Sequence, residues 1–224
     1  MGHYISIGEF MNHAVTHPVP HHFDSAEQAF QASKLGVWLF LVTEILLFGG
    51  LFVAYTIFRG LYPATFHEAS HHLNKVLGSI NTVVLICSSL SMALGVDRVR
   101  QNDPNKAHQY MLLTLFFAVC FLIIKYVEYT HKFHEGLLPG AHFTFAGLKD
   151  DPKAPLFFSL YFMMTGLHGI HVLVGMGLIA WVLIRSNRGE FSSGYYTPVE
   201  LVGIYWHLVD LIWIYLFPLL YLIG

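Results

Sequence analysis

Gly166-Leu167-His168-Gly169-Ile170-His171-Val172-Leu173-Val174-Gly175 places two histidines three residues apart inside an apolar run that extends from Pro155 to Ile184. A helix crosses the hydrocarbon core of a bilayer with about 20 consecutive apolar residues, and this run is long enough. That length decides the fold class. A polar side chain in such a run is costly and is normally kept for a partner, a ligand or a proton. The two imidazoles therefore pose the functional question: they hold a metal, or they serve the packing of helices.

Working outward, four further runs have the same character, so the spans fall at roughly 35–58, 76–97, 109–131, 155–185 and 199–223. The expected fold is an all-α integral membrane bundle of five transmembrane helices. Composition agrees: 55% of residues are hydrophobic and 12% charged, with a mean hydropathy of +0.54, against roughly 25% charged in soluble domains. A net charge of −2 argues against a nucleic-acid partner. Aromatics make up 16% of the chain, many near segment ends, as interfacial belts require.

Residues 1–34 read as a polar leader and 35–224 as the membrane domain. The leader carries His3, His13, His17, His21 and His22 but lacks the apolar core of a signal peptide. Connections are short, so consecutive helices are expected to be antiparallel neighbours; the longest, about 132–154, holds the turn signals Pro139-Gly140 and Asp150-Asp151-Pro152. Cys87 and Cys120 fall in apolar segments and read as small buried hydrophobes rather than a disulfide. Lys34, Arg98, Arg100, Lys106, Arg185 and Arg188 share the N-terminal side, against Arg59, Lys75, Lys132, Lys149 and Lys153 opposite. By the positive-inside rule the N-terminus is cytoplasmic and the C-terminus outside.

The polar residues within the spans are the candidate site. Glu44 lies near the middle of the first; it is a proton-relay or anchoring group, or a neutral carboxyl bonded to a neighbouring helix. Lys125 and Glu128, three apart, share a helix face and can pair; His131 and His134 continue that face into the loop. His168 and His171 share a face, and Tyr205-Trp206-His207-Leu208-Val209-Asp210 adds a third imidazole and an acid. Three imidazoles could complete a metal site with an open position. The cheaper reading is polar glue between helices, with His171 bonded to Asp210 or Glu200, and Gly166, Gly169, Gly175 and Gly177 permitting close approach.

Taken together, these motifs resemble subunit III of the haem-copper terminal oxidases of the cytochrome c oxidase type, in the bacterial five-helix form. The stretches that carry the likeness are LFLVTEILLF at 39–48, LGSINT at 77–82 with Ser88-Ser89, Glu128-Tyr129, TGLHGIHV at 165–172, Arg185, Glu200, and YWHLVDLIW at 205–213. The likeness covers about residues 34–223. Larger members of that family have seven helices, and this chain matches the last five; the absent pair would form one wall of a lipid-filled cleft. Lys125 stands where many members carry Gln.

The resemblance implies a chain without haem, copper or catalytic residues of its own, those cofactors lying in subunits I and II. It implies packing on subunit I, phospholipid between helices, support of proton uptake and turnover, and a place in a bacterial plasma (inner) membrane with accessory subunits or a larger respiratory supercomplex. Glu44 becomes the family's intramembrane carboxylate and Arg185 a ligand for lipid phosphate. Glu128, His168, His171, Glu200, His207 and Asp210 become structural or lipid-contact positions. The equivalent subunit of a quinol oxidase, or the related accessory protein of nitric oxide reductase, shares these motifs. Readings of another class are a stand-alone membrane metalloenzyme built on His168, His171 and His207, and a proton-coupled transporter built around Glu44.

Overall fold

The computed structural model describes residues 23–139, 143–148 and 151–223; the leader histidines lie outside that range. Six α-helices follow in order: α1 Ala26–Leu61, α2 Pro63–His71, α3 Lys75–Arg100, α4 Pro104–His134, α5 Ala154–Asn187 and α6 Thr197–Phe217. A 3₁₀ turn, Ala146–Leu148, precedes α5, and a π-helical turn, Pro218–Leu222, extends α6. All but α2 are long and apolar enough to cross a membrane, so the protein is the five-span helical membrane protein expected.

Helix ends follow local rules. Ser25 accepts a hydrogen bond from the Gln28 N–H at 3.1 Å while the Gln28 side chain accepts from the Asp24 N–H at 2.8 Å, a reciprocal capping arrangement. It starts α1 at Ala26, so the polar residues 26–34 are helical. Asn74 caps α3, accepting from the Val76 and Leu77 N–H groups, and Asp103 caps α4 ahead of Pro104. At their C-terminal ends α3, α4 and α5 are stopped by Asn102, Gly136 and Gly189, each at a φ between 55° and 75°. The backbone bonds Asp103→Arg98, Leu137→Lys132 and Glu190→Arg185 close these ends in the same way.

Residues 23–39, the described part of one compact unit, hold the first turns of α1; residues 40–224 form the other. In the latter, α3, α4, α5 and α6 make a ring, each against the next and α6 back against α3. The expectation of sequential neighbours holds for this ring but not for α1, which lies against α5 and α6: Phe48 meets the His171 ring, and Phe52 meets Tyr215. The physical reason is α2, a short amphipathic helix whose Phe66 packs edge-on to both Tyr55 and Phe157 and which therefore carries the chain past α5 before α3 begins.

Of the four glycines on α5 expected to permit close approach, only Gly175 does so. A Cβ there would stand 2.7 Å from the Trp206 ring, whereas Gly169 and Gly177 face open space and Gly166 has a single contact at 3.9 Å. Gly78 plays the corresponding part between α3 and α6, where a Cβ would meet Phe217 at 2.8 Å. The cysteines also differ from expectation: Cys87 is exposed on the bundle surface and Cys120 half-buried. A thiol facing hydrocarbon has no need of burial in protein, because lipid tails are as apolar as a core.

Candidate functional site

The two histidines of α5 point to different neighbours. His168 is completely enclosed, its ring 5.6 Å from that of Phe121 and 5.3 Å from that of Trp213, and neither ring nitrogen has a hydrogen-bond partner. His171 faces α1. Its Nε2 stands 2.7 Å from Glu44 Oε2, and its Nδ1 lies 2.8 Å from the Leu167 carbonyl oxygen. A carbonyl oxygen can only accept, so Nδ1 carries a hydrogen. The Nε2–Oε2 line then shares one proton, as imidazolium with carboxylate or imidazole with carboxylic acid. Tyr205 donates to the His171 carbonyl at 3.1 Å and fixes the turn.

This corrects the expected partners of His171. Glu200, half-buried at the start of α6, pairs with Arg100 at 2.7 Å. Asp210 is buried with both carboxyl oxygens lacking a well-formed hydrogen bond; the Ser89 hydroxyl beside it bonds His207 Nδ1 at 2.7 Å. The acid that reaches His171 is Glu44, because α1 rather than α6 presents a carboxyl at that depth.

The pair predicted within α4 is present, with Lys125 Nζ 2.9 Å from Glu128 Oε2. Sequence reasoning missed what surrounds it. Tyr221, in the π-helical turn, donates to Glu128 Oε1 at 2.6 Å, and Tyr161 of α5 donates to the same oxygen at 3.0 Å. Lys125 also donates to Tyr221 at 2.9 Å and sits 4.6 Å above the Trp213 ring, a favourable place for a desolvated cation. Three elements of the bundle thus converge on one buried pair. Around it the interior is stitched by Trp206 donating to Ser88, Trp213 to Thr82, and the Ser91–Thr114 hydroxyl pair at 2.7 Å. Aromatic N–H groups one face away from small hydroxyl residues are a legible signal for such bonds.

Arg185, at the end of α5, donates from Nε to Glu190 at 2.6 Å and lies over the rings of Trp181 and Phe191. His168, His171 and His207 do not converge, since they face α4 and α6, α1, and α3 respectively. Among the described residues no three His, Cys, Asp or Glu side chains gather as a metal would require. The arrangement can hold helices in register and place a shared proton at the α1–α5 contact.

Comparison with known proteins agrees with the geometry. A sequence model described as "Cytochrome c oxidase subunit III" matches residues 20–224. The "Cytochrome c oxidase subunit 3" of Synechocystis is 37% identical over 189 residues, 84% of this chain and 74% of that protein. That of Thermostichus vulcanus is 34% identical over 201 residues, 89% of this chain and 92% of that protein. A Staphylococcus haemolyticus protein named "Probable quinol oxidase subunit 3" is 31% identical over 205 residues, 90% and 94% of the two chains. A match across nearly the whole described chain, with the TGLHGIHV and YWHLVDLIW segments at their expected separation on adjacent helices, places this protein in the cytochrome c oxidase subunit III family.

Proposed function

We propose that the chain serves a proton-translocating cytochrome c oxidase of aerobic respiration as its subunit III, in a bacterial plasma membrane. In this reading it packs on the catalytic subunit I, with subunit II and small accessory subunits in the same complex, and holds phospholipid against its helices. The haem and copper belong to those partners, and this chain supplies no catalytic group; it supports proton uptake and the lifetime of the enzyme during turnover. Its N-terminus is cytoplasmic and its C-terminus on the far side.

The observation that carries the reading is the Glu44–His171 pair. Each side chain is 13% exposed, and the pair lies between α5 and a helix whose other faces are apolar and open, with Leu46 and Val53 among its exposed residues. Exposed apolar surface of that extent within a span is suited to lipid or to another membrane subunit. Cytochrome c as electron donor is supported by the names of the Synechocystis and Thermostichus relatives; quinol, named for the Staphylococcus relative, is the alternative.

The test is the intact complex, isolated in mild detergent from native membranes. Copurification with a haem-copper subunit, and faster dioxygen consumption with reduced cytochrome c than with quinol, is the expected result. Glu44→Gln is expected to leave assembly and initial rate close to wild type and to shorten the active lifetime during turnover. Complete loss of dioxygen reduction in an intact Glu44→Gln complex overturns the supporting role, and substrate flux in liposomes holding this chain alone would favour a transporter.

A further inference from the structure

His207 lies near the middle of the span formed by α6 and its π-helical extension, Thr197–Leu222. Its Nδ1 is bonded to Ser89 of α3 at 2.7 Å. The ring is half-buried, and Nε2 is neither enclosed nor bonded to any described residue. Beside Ser89 lies the Asp210 carboxyl, enclosed in the bundle. These side chains form a polar row that runs from the interior to the surface and ends on the open imidazole nitrogen.

The surface it reaches is the outer flank of the α3–α6 contact. Successive residues of a helix are turned by about 100°, so His207 stands about 200° round α6 from Tyr205, the residue that stacks on Phe40 of α1 and bonds the His171 carbonyl. α1 therefore covers the other flank. Around His207, Ile86 and Leu90 of α3 and Leu211 and Ile214 of α6 are exposed, and Ala93, one turn from Ser89, presents only a methyl group. Acyl chains offer an imidazole nitrogen nothing to bond, and the bilayer core holds no water to do so instead. Small residues beside a polar side chain are the pattern by which one membrane helix receives another. The outward face of α4 is the contrast: Leu112, Phe116, Val119 and Ile123 are exposed there, an apolar row suited to lipid.

We propose that the α3–α6 flank receives a transmembrane helix of another chain, one that carries a hydroxyl or amide side chain hydrogen-bonded to His207 Nε2. Hydroxyl and amide groups both donate and accept, so they match either tautomer of the imidazole. An ionised side chain at that depth would bring a desolvation cost of its own. The inference rests on the chain being one subunit of a membrane complex, and it names the surface by which the chain joins it.

The test is photocrosslinking in the intact complex in native membranes, with p-benzoylphenylalanine replacing Leu211 or, as a control, Val119. From position 211 the expected adduct joins a different polypeptide of the complex, and sequencing by mass spectrometry should place the joined peptide in a transmembrane segment; position 119 should give at least tenfold less. Adducts at 211 with only phospholipid or a second copy of this chain, or equal yields at the two positions, overturn the site. His207→Leu is expected to lower the amount of this chain retained by the complex in mild detergent at least fivefold. His207→Gln should keep it, and Ser89→Ala, which breaks only the internal bond, should change it less than twofold. Retention of His207→Leu equal to wild type overturns the hydrogen bond. An adduct with an identified membrane protein that is not an oxidase subunit would keep this surface while sinking the oxidase reading, so the two failures are distinguishable.

Discussion

Among the described residues, the pairs Lys125–Glu128 and Glu44–His171 both lie well inside the membrane-spanning helices, and they are built differently. Lys125 and Glu128 come from one helix, are 7% and 2% exposed, and collect further bonds from α5 and from the turn after α6. Glu44 and His171 come from two helices, are more open, and have one further bond, from His171 to its own helix. Burying a charge is costly unless its partner and its remaining hydrogen-bonding capacity are both supplied. The first pair meets that condition with several elements and so ties α4 to α5 and to the end of α6. The second meets it with a single contact, which leaves α1 joined to the ring chiefly through aromatic side chains.

The largest expected effect comes from breaking the inner pair unequally. Glu128→Ala leaves the Lys125 ammonium enclosed with no carboxylate, and removal of one partner from a buried pair costs about 3–5 kcal/mol. A steep fall in thermal stability of the detergent-solubilised complex, or loss of the chain from it, is expected. Lys125→Met with Glu128→Met should recover much of that loss, and equal damage in the double variant would show that the charge itself was not at issue.

Tyr221→Phe should act next. It removes the hydroxyl bonded to both members of the pair while keeping the ring, at about 1–2 kcal/mol, read as a modest downward shift of the same unfolding transition. A smaller effect is expected at the outer pair. His171→Phe keeps the ring contact with Phe48 and removes the Glu44 bond; interhelical polar contacts in membranes average about 0.6 kcal/mol. Its signature is spectroscopic: a carboxylic C=O infrared band should appear or shift in His171→Phe and vanish in Glu44→Gln. A stability loss in His171→Phe as large as in Glu128→Ala would erase the contrast between the two regions.

The smallest change lies outside the membrane. Asp103 accepts the Lys106 backbone N–H and side-chain ammonium, which holds its carboxyl below the ordinary carboxylate value. A depressed carboxyl stabilises the fold above its ordinary titration range, and that contribution is lost as pH falls through the lowered value. Asp103→Ala should therefore lower stability slightly at neutral pH, where the contribution and the cap of α4 are present, with the gap to wild type narrowing as pH falls through the lowered value.

Much of this was legible in the sequence because it is local. Span length and apolarity locate five helices, and an i, i+3 spacing places Lys125 beside Glu128. What escaped depends on how helices meet. Glu44 and His171 are 127 residues apart, and their bond requires the rotation and depth of two helices at once. Gly175 and Gly177 look alike as residues, yet only one faces Trp206. Tyr221 reaches Glu128 because the chain widens into a π-helical turn at Pro218, a departure from the 3.6-residue period that no apolar pattern announces. The tryptophan-to-hydroxyl bonds lie between these cases, since their residue types were visible and their pairing was not.

The two histidines of TGLHGIHV, one spacing in the chain, answer to separate surroundings. Among related proteins each should then drift on its own schedule. Exchange of His171 for an uncharged residue should accompany replacement of Glu44, whereas exchange of His168 should follow changes at Phe121 and Trp213. A motif that looks like one signature would behave, in evolutionary terms, as two independent characters.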